Sequence, residues 1–222
     1  MAANFPKDRP TRILNAASRL IVHYGFDKTT MEDIAREAGV SKGSLYLVWS
    51  SKDQLFEALL GHEMRRLLLD LRSRIEQDPN GGQIANQYQH TLLALQNNPL
   101  ICALYTRDSR VLGDFVRRQD VSRYTDRLLL GRDSVKQMQA AGLLRDDLRP
   151  EAITYLFSMI ALGFMNVGTI VPASEAPPLA ETAVAVSALV ERGLGGPGGD
   201  STAGKEATIK MIDFMLEQWE AK

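Results

Sequence analysis

Cysteine is nearly absent from this chain of 222 residues: Cys102 stands alone. An intrachain disulfide and a four-cysteine zinc site are therefore excluded, and a reducing cytoplasm is the expected compartment. Histidine is scarce too, and His23, His62 and His90 fall on three different predicted helices. No metal site is expected from them. The strings G-x-S-x-G, H-E-x-x-H and the Walker A pattern are missing, so the expectation is a non-enzyme without a cofactor. An excess of one charge is also lacking. Twenty-six Lys and Arg against 27 Asp and Glu leave a net charge of -1. The chain as a whole is not a polycation, and binding to nucleic acid would have to rest on a local patch. No apolar stretch follows Lys7, Asp8, Arg9 and Arg12, so a signal peptide is not expected. One long uncharged stretch exists, residues 152–174, with the length of a membrane span. It also holds Thr154, Ser158, Gly163, Asn166, Gly168 and Thr169, and Pro172 lies near its end. A helix buried in a helical core or a dimer interface is the expected reading, with no membrane.

What is present is the balance of a soluble globular protein, 45% hydrophobic and 24% charged. Charge is unevenly spread. Residues 1–52 hold eight Lys or Arg and five acids, a balance of +3, which leaves -4 for the remainder. Apolar residues recur at helical period along the chain, with no alternating strand pattern and no repeat, so the fold class is all-α. Ile13, Ala16, Ala17, Leu20, Ile21 and Tyr24 make one stripe, stopped by Gly25. Thr30 with Asp33, and Ser51 with Gln54, have the spacing of capping boxes. A short helix carries Met31, Ile34, Ala35 and Ala38 inward, Gly39 turns the chain, and Ser41 caps a helix over 42–48. A long helix follows to the break Asp78-Pro79-Asn80-Gly81-Gly82. Further helices are expected at about 83–97, 99–106, 120–141, 150–171, 178–193 and 204–220, with a flexible glycine-rich linker over 193–204.

Two short helices around a tight turn, Ile34–Tyr46, form a helix-turn-helix. In such a unit the second helix projects into a major groove with its first residues toward base edges. Ser41, Lys42, Gly43 and Ser44 are small or basic there, so backbone can approach phosphate closely. Arg9 and Arg12 form either an N-terminal arm on DNA or a solvated tail. The interleaved charges of residues 107–136, eight basic and five Asp, read as a solvated face or as the source of one inward arginine.

Gly25-Phe26-Asp27-Lys28-Thr29-Thr30, then Ile34–Tyr46, then Ser51-Lys52-Asp53-Gln54-Leu55 together resemble the TetR (tetracycline-repressor) family. The resemblance covers about residues 11–60. It implies a helix-turn-helix DNA-binding domain over 1–53 and a helical ligand-binding and dimerisation domain over 54–222. It implies that Thr30 bonds a phosphate, that Lys42, Ser44 and Leu47 face the groove, and that Tyr46 and Lys52 touch backbone phosphates. The chain departs from the family at Tyr46-Leu47-Val48-Trp49, where Leu47 replaces a common polar residue and suits a thymine methyl. Trp49 is expected in the core. The resemblance further implies double-stranded operator DNA, a small-molecule effector and a homodimer as partners. Candidate ligand-lining residues are Tyr88, Cys102, Tyr105, Phe115, Met138, Tyr155, Met159 and Asn166, each of which at helical spacing equally suits a core. The helices at 150–171 and 178–193 are the candidate dimer elements, the latter rich in small apolar residues such as Ala183, Val184, Val186 and Ala188. The implied function is a ligand-responsive regulator, a repressor released by a small molecule. The rival is a helical enzyme or scaffold in which the helix-turn-helix only packs.

Overall fold

A computed structural model describes residues 9–115, 132–172, 174–196 and 201–220. Among the described residues every regular element is a helix, and an isolated bridge between Leu144 and Gly195 is the one β-type pairing. Contacts group the chain into two compact units, Met1–Met64 with Pro99–Val121 and Arg65–Asn98 with Ser122–Lys222. The sequence places a boundary at 53/54 instead. The difference arises because helix α4 (Lys52–Gln77) runs unbroken past that point, and because residues after Pro99 return to the N-terminal unit.

The first unit is organised on α1 (Arg9–Tyr24), whose Ile13, Ala16, Ala17 and Ile21 are fully buried. Tyr24, expected on that stripe, is exposed at the helix end. Gly25 ends α1 at φ 87°, and a Cβ there would lie 2.6 Å from the Arg110 carbonyl oxygen. Helices α2 (Met31–Glu37) and α3 (Lys42–Tyr46) follow, and α6 (Pro99–Thr106) and α7 (Ser109–Leu112) pack beside α1. The Phe26 N–H donates to the Val111 carbonyl at 2.8 Å, and the Asp114 N–H donates to the Asp27 carboxylate at 3.1 Å. Phe56 lies 4.8 Å from Phe26 and 4.5 Å from Phe115, centroid to centroid. Three buried aromatic rings thus tie the turn after α1, the start of α4 and the end of α7 together.

The second unit holds the rest of α4, then α5 (Ile84–Gln96), α8 (Arg132–Ala140), α9 (Pro150–Asn166), α10 (Leu179–Leu194) and α11 (Ser201–Glu220). The expected helix at 120–141 is seen over Arg132–Ala140, and its earlier part lies outside the described residues. Tyr88, Leu92, Val135, Ile153, Phe157, Ala183 and Val190 are core residues. The Tyr88 ring stacks on Phe157 at 4.8 Å and its hydroxyl donates to the Phe157 carbonyl at 2.8 Å, so a buried phenol keeps a partner.

Helix α9, with the 3-10 turn Val167–Thr169 behind it, is long and apolar enough to cross a membrane by length and composition. Only one stripe is buried in the chain, Ile153, Phe157, Ala161 and Phe164, while Tyr155, Met159 and Leu162 are exposed. The glycine-rich linker is shorter than expected. Helix α10 continues through Gly193, and α11 begins at Ser201. Gly204 lies inside α11, where a Cβ would come within 2.5 Å of the Gly82 carbonyl oxygen, so close helix approach rather than flexibility accounts for this glycine. The terminal helix is tied to α4. Arg72 Nε donates to Asp213 at 2.8 Å, and Lys205 Nζ donates to the Glu76 carbonyl at 2.9 Å.

Candidate nucleic-acid interface

The helix-turn-helix is built by caps. The Thr30 hydroxyl oxygen accepts from the Asp33 N–H at 3.1 Å, and the Asp33 carboxylate accepts from the Thr30 N–H at 3.2 Å. Both halves of the predicted box are therefore formed at the start of α2. The Asp33 carboxyl is held below its ordinary value, first by the Thr30 side-chain hydrogen bond and then by the Thr30 backbone. Gly39 turns the chain at φ 62°, and the Val40 N–H closes back on the Ala35 carbonyl at 3.0 Å. Ser41 caps α3 by accepting from the Ser44 N–H at 3.1 Å. Ala35 and Leu45 are buried, as a close crossing of the two helices requires.

The second predicted box is only half formed. Ser51 Oγ accepts from the Gln54 N–H at 3.2 Å, but the Gln54 side chain takes the N–H of Ser50 at 3.0 Å rather than that of Ser51.

Burial of Leu45 turns the other side of α3 outward. Leu47 is 75% exposed, with Tyr46 and Val48 partly exposed beside it and Trp49 half-buried. Ser41, Lys42 and Gly43 are exposed, and nothing lies within 4 Å of a Cβ built on Gly43. A small, exposed, cationic helix start next to apolar side chains suits phosphate and base edges together.

Several of the predicted contact groups already have partners within the protein. The Thr30 hydroxyl donates to Asp33 at 2.6 Å, and the Ser44 and Ser41 hydroxyls share a bond of 2.8 Å. Lys42 Nζ pairs with the Glu32 carboxylate. Lys52 is part-buried. Its ammonium donates to the carbonyls of Phe26 at 2.8 Å and Thr29 at 3.1 Å and lies 4.2 Å from the Phe26 ring centroid. It braces the turn after α1. Sequence reasoning passed over Glu32 as a partner, because ten residues and a turn separate it from Lys42 and no helical spacing links them.

Residues 13–59 match the family model described as bacterial regulatory proteins, tetR family. Over this segment, about a fifth of the chain, the helix-turn-helix is of the tetR type. The tetR segment is 34% identical over 67 residues to YvdT, an uncharacterized HTH-type transcriptional regulator of Bacillus subtilis, covering 30% of this chain and 34% of that one. The match spans about a third of the length of such curated relatives. Solved structures resemble a larger share of the chain. FadR of Bacillus subtilis, a transcriptional regulator crystallised with stearoyl-CoA, superposes with a TM-score of 0.60 at 14% identity, over 81% of this chain and 96% of that one. SmeT, repressor of the Stenotrophomonas maltophilia efflux pump SmeDEF, gives 0.58 at 16% identity, over 86% and 92%. At these identities the likeness establishes the fold: a helix-turn-helix followed by a larger helical part.

The eight candidate ligand-lining residues divide between the two units. Cys102, Tyr105 and Phe115 belong to the first, and Phe115 is buried against Phe26 and Phe56. Burial pushes the Tyr105 hydroxyl up to about 12; burial, with Asp108 behind it, also raises the Cys102 thiol. Tyr88 and Met138 lie in the core of the second unit, Tyr155 and Met159 are exposed on α9, and Asn166 ends that helix with its amide donating to the Leu162 carbonyl. His62 pairs with Asn15 and His90 with Asp78, and no group of metal-ligating residues forms among the described residues.

Proposed function

We propose that this chain is a ligand-responsive transcription regulator, a repressor that binds a palindromic operator as a homodimer in the cytoplasm. The carrying observation is the capped helix-turn-helix of the tetR family, with Lys42, Gly43, Tyr46 and Leu47 presented outward on α3. Lys42, Ser44 and Leu47 face the major groove, Lys42 with its ammonium on a phosphate at the groove's edge, while Thr30, Ser41 and Tyr46 also meet phosphates. Lys52 supports the turn that carries Thr30, and its ammonium adds positive charge beneath the phosphate path.

The homodimer forms through α9 and α10. In support, Tyr155, Met159 and Leu162 on α9 and Val184 and Leu189 on α10 are large apolar side chains left in water in the protomer. A two-fold axis then sets two recognition helices about 34–36 Å apart, one turn of DNA. A small apolar effector binds among α5, α8 and α9, near Tyr88 and Met138. FadR, a structural neighbour, is crystallised with stearoyl-CoA, whose acyl chain is apolar. A coupling of ~1–3 kcal/mol would change operator affinity by roughly 5–150-fold.

The test is selection of bound sequences from a random duplex library at a stated salt concentration. A palindrome with half-sites about one turn apart is expected. No enrichment by folded, dimeric protein would reject the regulator in favour of a helix-turn-helix that only packs.

A further inference from the structure

The cation at the head of the recognition helix is already neutralised before DNA arrives. Lys42 is the first residue of α3, and its ammonium is paired with the Glu32 carboxylate from the first turn of α2. The two side chains are 55% and 53% exposed, so the pair sits at the face that meets DNA rather than in the core. Its neighbour Asp33 behaves likewise, holding the Thr30 hydroxyl on one oxygen and Arg36 on the other at 2.6 Å. Two carboxylates at the start of α2 therefore occupy two polar groups that the regulator reading assigns to DNA.

We propose that Glu32 is an internal stand-in for a DNA phosphate, holding Lys42 in the free protein and lowering affinity for duplex DNA until a phosphate replaces it. The inference rests on the regulator reading above. Its physics is an exchange of anions. A phosphate oxygen and a carboxylate oxygen offer an ammonium similar charge-assisted bonds, so moving Lys42 from Glu32 to DNA gains less than moving it from water. Glu32 is also left unpaired beside the polyanion, which reduces the effective number of phosphates neutralised. The carboxylate is no part of the cap: α2 is capped by Thr30 and Asp33, and Glu32 is exposed.

The test is Glu32→Gln, alone and together with Lys42→Gln. Binding is followed by fluorescence anisotropy on a random-sequence duplex and on a duplex recovered by selection, over a range of salt. Thermal midpoints are recorded to show that each variant is folded. Glu32→Gln should tighten binding to both duplexes by about two- to fivefold, the scale of an exposed ion pair. The slope of log affinity against log salt should steepen by up to about one. In the Lys42→Gln background the gain should shrink to what relief of repulsion between Glu32 and DNA supplies. A gain of undiminished size without Lys42 overturns the proposal, since the effect would then be general charge alone. A loss of affinity confined to the selected duplex also overturns it, since Glu32 would then be reading a base. Wild-type protein with no salt-dependent binding to either duplex rejects the regulator reading itself, whereas wild-type binding with no change on Glu32→Gln rejects this proposal alone.

Discussion

Lys42 and Asp78 show how much one side chain's surroundings decide. Lys42 is exposed at a helix start, so its removal should leave the fold intact. On the regulator reading, Lys42→Ala weakens binding to all duplexes and lowers the salt slope by about one if it meets a phosphate. If it meets a guanine, the loss is in specificity at one position. Titration against salt separates the two. Asp78 sits at the break after α4 and accepts from Asn86 at 2.8 Å, the Asn80 N–H at 2.8 Å and His90 at 2.9 Å. Burial alone would raise its carboxyl, but these hydrogen bonds outweigh burial and hold it below the ordinary value. A depressed carboxylate contributes stability above its unfolded value of about 4, and that contribution is lost as pH falls through the lower folded value. Asp78→Asn should therefore cost about 1–3 kcal/mol near neutrality. The gap from wild type should close in urea denaturation as pH drops below about 4.

Two glycines separate local from tertiary demand at the level of elements. Both Gly25 and Gly39 have positive φ, 87° and 62°. At Gly39 a Cβ meets nothing within 4 Å, so Gly39→Ala should cost only the backbone term, about 1–2 kcal/mol. At Gly25 the same atom falls 2.6 Å from the Arg110 carbonyl oxygen, and α7 must move to admit it. Gly25→Ala should be the more destabilising, with the lower midpoint in a matched urea titration. A reversed order would mean that α7 does not hold against the turn after α1. The sequence reads both residues as helix stops and has no means of ranking them.

For the molecule as a whole, the partition into units follows contact rather than chain order. Phe115 is buried among Phe26 and Phe56, far from it in sequence. Phe115→Ala should cost about 3–5 kcal/mol and lower protection from hydrogen exchange in α1 and the turn after it. An unchanged exchange pattern would detach residues 99–115 from the N-terminal unit. The exposed side of α9 bears on assembly. Tyr155 is 69% exposed and Met159 49%. If they lie in the dimer interface, Tyr155→Asp with Met159→Asp should turn a dimer into a monomer in sedimentation, with loss of binding to a two-half-site duplex. A dimer that persists would move the interface to another face.

The all-helical class, the two short helices around Gly39, the Thr30 cap and the tetR segment were legible because each depends on residues within a few positions of one another. Helical period, capping spacing and a left-handed turn are local properties of a chain. The extent of the linker was misjudged for the converse reason. Glycine reads as flexibility in a sequence, whereas Gly204 is a contact with Gly82 reached only after folding. The unit boundary, the aromatic cluster around Phe56, the internal duty of Lys52 and the Glu32–Lys42 pair were decided by tertiary structure alone. Each joins groups that no helical period relates, and hydrophobic burial and ion pairing act through space without regard to separation along the chain.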